Sequence, residues 1–125
     1  MLISIWPHVQ APDSELLVKF YVSELSLFKI ASDYGMGSYL LVANENPSLG
    51  LQISPGDSRE ISPRPLFTIA VQEIDSLFQR LKDLDFSSGA ELLTKESFFD
   101  YPAGKSMSLK DPGGNILVIE QPYFD

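Results

Sequence analysis

The chain has 125 residues, with nine Lys+Arg against 17 Asp+Glu for a net charge of −8 at pH 7, 44% hydrophobic and 21% charged residues, and no cysteine. Those fractions are typical of a soluble folded domain, and the acidity repels phosphate backbones and anionic lipid, arguing against nucleic acid and membrane partners. Without cysteine there is no disulfide framework, no thiolate metal site and no cysteine nucleophile.

The N-terminal stretch Leu2 to Val9 alternates Ile3 and Ile5 with Ser4 and Trp6, a period of two that predicts a strand ending at a turn on Ala11-Pro12. Its apolar run is broken by Pro7 and His8 and has no basic leader, so a cytoplasmic protein is expected. Asp13 or Ser14 is placed to cap a helix over about Glu15 to Ser26, with Leu16, Leu17, Phe20, Tyr21 and Leu25 forming one apolar stripe. Strands are predicted at Phe28 to Ser32, Gly37 to Ala43 and Leu49 to Ser54, separated by the turn-forming Asp33-Tyr-Gly and Asn44-Glu-Asn-Pro-Ser. The polar, proline-rich run 55–65 reads as a connector.

The same order then returns. Leu66 to Gln72 predicts a strand, and Asp75 or Ser76 the cap of a helix whose Leu77, Phe78, Leu81 and Leu84 share a face. Strands follow at about Glu91 to Lys95, Ser106 to Lys110 and Asn115 to Glu120, with Asp111-Pro-Gly-Gly as the last tight turn. The expected fold is α+β: one domain of two βαβββ modules, about 1–54 and 66–125, whose paired curved mixed sheets surround a central trough where a small ligand would bind.

Lys19-Phe-Tyr-Val22, Phe67-Thr-Ile-Ala-Val-Gln-Glu-Ile-Asp-Ser76 and above all Gly104 to Glu120, with Asp111-Pro-Gly-Gly-Asn115 set between two strands, resemble the vicinal oxygen chelate pattern of glyoxalases, bleomycin-resistance proteins and dioxygenases. The resemblance spans nearly the whole chain. Metal-using members take ligands from their first, fourth, fifth and eighth strands; here those positions fall on Trp6, on Leu51 or Gln52, on Leu66 and on Val118. Indole offers only a donor N–H, and Leu and Val offer no ligand atom. His8 and Glu120 each stand two residues beyond the usual position, about 7 Å along a strand.

No metal or other cofactor is therefore expected, with a divalent ion on His8, Gln52 and Glu120 as the alternative. His8, with the one unperturbed pKa near neutrality, and Glu120 are the candidates for proton transfer if the protein is an enzyme. Trp6, Gln52, Phe98, Phe99 and Tyr101 are the candidate ligand-binding residues, the last three on a loop that overhangs the trough in the family the chain resembles. No Gly-x-Ser-x-Gly elbow is present, and the glycine pairs lead into strands rather than into a phosphate-cradling helix. The resemblance implies a protein that binds or sequesters a small molecule, cationic or aromatic in character, and that pairs as a homodimer. A metal-dependent lyase, isomerase or dioxygenase, or an interaction module with a vestigial trough, are the other readings.

Overall fold

The computed structural model describes residues 1–56, 64–94, 99–101 and 104–123. The chain separates into two compact units, Met1–Arg59 and Glu60–Asp125. Each repeats the order strand, helix, strand, strand, strand, and the second inserts one further short strand, so the α+β class and the two βαβββ modules are as the sequence predicts.

In the first unit β1 (His8–Ala11) leads to α1 (Ser14–Val18), which runs on as a π-helical segment over Lys19–Glu24; β2 (Phe28–Gly35), β3 (Ser38–Ala43) and β4 (Asn46–Pro55) follow. The sheet order is β1-β4-β3-β2, with β1 parallel to β4 and the other pairs antiparallel. The first strand is shorter than its alternation predicts. Ile5 forms an isolated parallel bridge to Leu49, but Pro7 has no N–H to continue the ladder, and regular pairing resumes only at His8. The Asp13 side chain accepts the Glu15 N–H at 3.1 Å, the capping bond expected there. The Leu25 N–H reaches back to the Phe20 carbonyl at 2.7 Å, five residues away, so the single α-helix expected over 15–26 widens midway. Leu17, Phe20, Tyr21 and Leu25 are all buried against the sheet.

Two bonds tie α1 to the β2–β3 hairpin. Ser14 Oγ donates to the Gly37 carbonyl at 2.6 Å, and the Tyr39 hydroxyl donates to Glu15 Oε1 at 2.6 Å. The hairpin turns through Met36 and Gly37, both at positive φ (57° and 81°), immediately after the Asp33-Tyr-Gly turn predicted. Backbone twist favours such a pair in a two-residue hairpin.

In the second unit β5 (Pro65–Ala70), α2 (Ile74–Lys82), β6 (Glu91–Leu92), β7 (Phe99–Tyr101), β8 (Gly104–Lys110) and β9 (Ile116–Pro122) form a sheet of order β5-β9-β8-β6, with β7 also paired to β8. β5 runs parallel to β9, as β1 does to β4. β7 occupies part of what reads in sequence as a loop. Its backbone pairs Phe99 with Ser106 and Tyr101 with Gly104, which the bulky apolar stretch gives no turn chemistry to prevent.

The helix in this unit starts earlier than Asp75 or Ser76 would place it. Glu73 is the N-cap residue and its side chain makes no capping bond; Gln121 Oε1 accepts the Ile74 N–H instead, at 3.0 Å. Asp75 is left to pair with Lys105 at 3.4 Å on the surface. Ile74, Leu77, Phe78 and Leu81 are buried, whereas Leu84 lies past the helix end and is half-buried. The Asp111–Asn115 turn closes on itself: Asp111 Oδ1 accepts the N–H groups of Gly113 (2.8 Å) and Asn115 (3.0 Å), and the Asn115 amide donates to both carboxylate oxygens (3.2 and 3.1 Å).

Candidate ligand-binding face

Alternation divides each sheet into two faces. In the first unit Val9, Leu41, Leu51 and Ile53 point to the helix and are at most 3% exposed. Their neighbours point the other way. The register sets His8 beside Gln52 and Gln52 beside Leu40, one continuous row across β1, β4 and β3. The next residues along form a second row, in which Gln10 Nε2 donates to Ser54 Oγ at 3.4 Å.

Trp6 completes this face two positions before His8. Its indole lies over Gly50: a Cβ there would stand 3.1 Å from Trp6 Cδ1 and would collide with the Leu41 carbonyl oxygen. The absent side chain at 50 is what lets a large ring lie against the strand. Trp6 keeps 38% of its surface exposed, and His8 is exposed. The face thus offers a ring, an imidazole, two amides and a hydroxyl above the buried Leu40 and Val42, a mixture suited to stacking and hydrogen bonding with a planar polar molecule.

In the second unit Glu120 occupies the helix-free face of β9, half-buried, in a row with Ala70 on β5 and Ser106 on β8. Val118 stands in the preceding row, between Thr68 and Ser108. Phe99 and Tyr101 lie on β7; Phe98 lies outside the described residues.

The positions where the resemblance would put metal ligands do not suit a metal. Leu51 is buried on the helix side of its sheet, Leu66 sits at the irregularity where β5 joins β9, Val118 has no donor atom, and Gln52 offers one weak amide oxygen. Among the described residues no group of three or more His, Cys, Asp or Glu is gathered where it could hold a cation. His8 and Gln52 are neighbours in the first unit, and Glu120 belongs to the second.

Gln10, Leu40 and Gly50 were not singled out from sequence, and Ser54, which reads there as a turn residue, lies on β4 opposite Gln10. Gln10 and Ser54 share the parity of His8 and Gln52, so the period of two already pointed to them; Gly50 is betrayed only by the contact it permits. A separate open concavity of about 340 Å³ lies by the end of α2, lined by Leu81, Lys82, Phe86 and Leu92 among others. It gathers apolar side chains with exposed charges at its lip and no converging polar set. No helix among the described residues is long and apolar enough to cross a membrane.

No family model and no curated protein sequence matches the chain. Solved structures do. A glyoxalase/bleomycin resistance protein/dioxygenase from Alicyclobacillus acidocaldarius superposes with a TM-score of 0.69 at 23% identity, over 98% of this chain and 92% of the other. TnmS3, an antibiotic binding protein from Streptomyces sp. CB03234, gives 0.68 at 19% identity over 98% of both chains. The bleomycin-binding protein of Streptomyces verticillus, solved with copper(II)-bleomycin, gives 0.65 at 20% identity over 95% of both. At these identities the likeness shows a shared fold.

Proposed function

We propose that the chain is a small-molecule binding or sequestering protein whose ligand lies against Trp6, His8 and Gln52. The observation that carries this reading is the row His8–Gln52–Leu40 beside an indole seated on Gly50, which brings an imidazole, an amide and an aromatic ring onto one face. Its fold is that of a bleomycin-binding protein and of an antibiotic binding protein. The ligand is a planar aromatic molecule, cationic in character. An indole face attracts a cation by about 0.5 to 2 kcal/mol, and the net charge of −8 raises the local concentration of cations. The protein acts in the cytoplasm as a pair of identical chains and releases its ligand unchanged.

Trp6 is the single tryptophan of the sequence, so its emission reports on this face alone. Titration with planar cationic aromatic compounds, metal-free bleomycin among them, is expected to give saturable quenching that weakens at least tenfold in Gln52→Ala. Recovered ligand is expected to be chemically intact. Absence of saturable binding across the panel by fluorescence and calorimetry would overturn the reading, as would turnover of the bound compound.

A further inference from the structure

We propose that the binding face of the first unit ends in a second, hydrogen-bonding subsite at Ser54, positioned by Gln10. The ligand is therefore a long molecule, with an aromatic ring on Trp6 and an uncharged carbonyl group, of the carboxamide kind, on the Ser54 hydroxyl. This rests on the reading of the Trp6 face as the binding site and adds what lies at its other end.

Trp6, His8 and Gln10 alternate along the first strand and its approach, and Gly50, Gln52, Ser54 and Gly56 alternate beside them along β4 and just past its end. The Ile5–Leu49 bridge and the His8–Gln52 and Gln10–Ser54 pairs keep one parallel register throughout. The Gly56 N–H, which donates to the Ala11 carbonyl at 3.0 Å, carries the ladder one step past Pro55. Gln52 and Ser54 are thus flanked by glycines, and both glycines are covered from the neighbouring strand. A Cβ at Gly50 would stand 3.1 Å from Trp6 Cδ1, and one at Gly56 would stand 2.9 Å from both Cδ and Oε1 of Gln10. The carboxamide of Gln10 lies on Gly56 as the indole lies on Gly50.

That posture fixes what Ser54 can do. Gln10 Nε2 donates to Ser54 Oγ at 3.4 Å. A hydroxyl has one proton and two lone pairs, so with a lone pair facing the Gln10 amide its O–H is directed elsewhere. Ser54 is half-buried, and an acceptor placed against it meets a donor partly shielded from water. Gln52, two positions back on the same face, supplies an amide that both donates and accepts. Trp6, Gln10, Gln52 and Ser54 are uncharged, and His8 is the one titratable group among them. An ionic arm would lose water here without gaining a counter-charge, whereas a neutral carbonyl is matched by a hydroxyl and an amide. Four residues of β4 separate Gly50, under the ring, from Ser54, which sets ring and carbonyl roughly 13 Å apart. The face selects for length as well as for the two end groups.

Matched probes decide this by calorimetry: an aminoacridinium cation, the same cation with a chain of about 13 Å ending in a carboxamide, and that chain ending in an isopropyl group of similar shape. The carboxamide probe is expected to bind wild type about fivefold more tightly than its isopropyl twin, the ordinary net worth of one neutral hydrogen bond. Ser54→Ala is expected to bring the two probes to equal affinity, and Ser54→Thr, which keeps the hydroxyl, to retain most of the difference. A carboxamide chain half as long stops at Gln52, and its advantage over an isopropyl twin of its own length is expected not to respond to Ser54→Ala. Gly56→Ala tests the positioning role of Gln10. The new methyl group meets only the far end of a flexible side chain, so the circular dichroism spectrum and Trp6 emission are expected to hold while the carboxamide advantage falls, as it also should in Gln10→Ala. Equal affinity of the two long probes for wild type, with the bare cation bound, would overturn the subsite alone. So would a Ser54→Ala variant that keeps the full advantage, and an advantage intact in both Gly56→Ala and Gln10→Ala would remove Gln10 from its positioning role. Failure of all the probes to bind would overturn this inference together with the reading of the Trp6 face.

Discussion

Gln121 Oε1 accepts the backbone N–H of Ile74, so the last strand of the second unit closes the N-terminus of its helix across 47 residues. The usual local cap is missing, since the Glu73 side chain makes no such bond. Gln121→Ala is expected to lower unfolding free energy by about 1 kcal/mol, the ordinary worth of an N-cap, with Gln121→Glu retaining most of it. Urea denaturation at neutral pH measures both; equal stability of Gln121→Ala and wild type would mean that the bond contributes nothing in solution.

The Tyr39 phenol is pushed up to about 12 from its ordinary 10, first by its hydrogen bond to the Glu15 carboxylate, then by desolvation and by the charges of Glu15 and Asp33. The protonated phenol is the favoured form in the fold. Its contribution is therefore complete below pH 10 and is lost as the pH rises through about 12. Absorbance titration at 295 nm is expected to show a tyrosine ionising at about pH 12, and Glu15→Gln to move that ionisation back toward 10.

Asp111 and Asn115 are 1% and 8% exposed, and each bonds to the other within one turn. Removing the carboxylate leaves the Gly113 and Asn115 N–H groups without their acceptor. Asp111→Ala is expected to cost about 3 kcal/mol or more, at the upper end for a buried charged acceptor, and Asn115→Ala about 1 to 2 kcal/mol. Thermal denaturation of the two variants tests the order; a milder effect at Asp111 than at Asn115 would contradict it.

Gly50→Ala sets a methyl group against the Leu41 carbonyl and 3.1 Å from the indole of Trp6. Backbone or ring must move, at about 1 to 3 kcal/mol for an overpacked site. The expected signature is a change in Trp6 emission without ligand, together with loss of affinity. Unaltered fluorescence would mean that the ring does not rest on Gly50.

The features legible in the sequence were those set by local periodicity and turn chemistry. The Asp13 cap, the helix stripe from Leu17 to Leu25, the Asp111–Asn115 turn and the repeated element order all follow from residues close in the chain. The features missed depend on distant partners. Gln121 displaces the start of α2 from Asp75 to Ile74; β7 exists through its pairing with β8; the π-helical segment answers to packing on a sheet that the helix sequence does not contain. At the candidate site, alternation gave the shared face of Trp6 and His8, whereas the choice between Leu51 and Gln52 and the cross-strand row needed the parallel register of β1 on β4, which no single strand specifies.

That parallel pairing also bears on how the first unit opens. Gln10 and Ser54 meet across 44 residues, so β1 docks only after the chain between them has been ordered, and its loop-closure cost falls on a small number of contacts. β1 is thus positioned as the first strand to leave during local unfolding. A molecule held jointly by His8 and Gln52 fastens this long-range seam, and its binding energy opposes the departure of β1 directly. Hydrogen exchange at Val9 and Ala11 should slow on saturation, while amides of the β2–β3 hairpin, which closes over a short local turn, should be nearly unaffected.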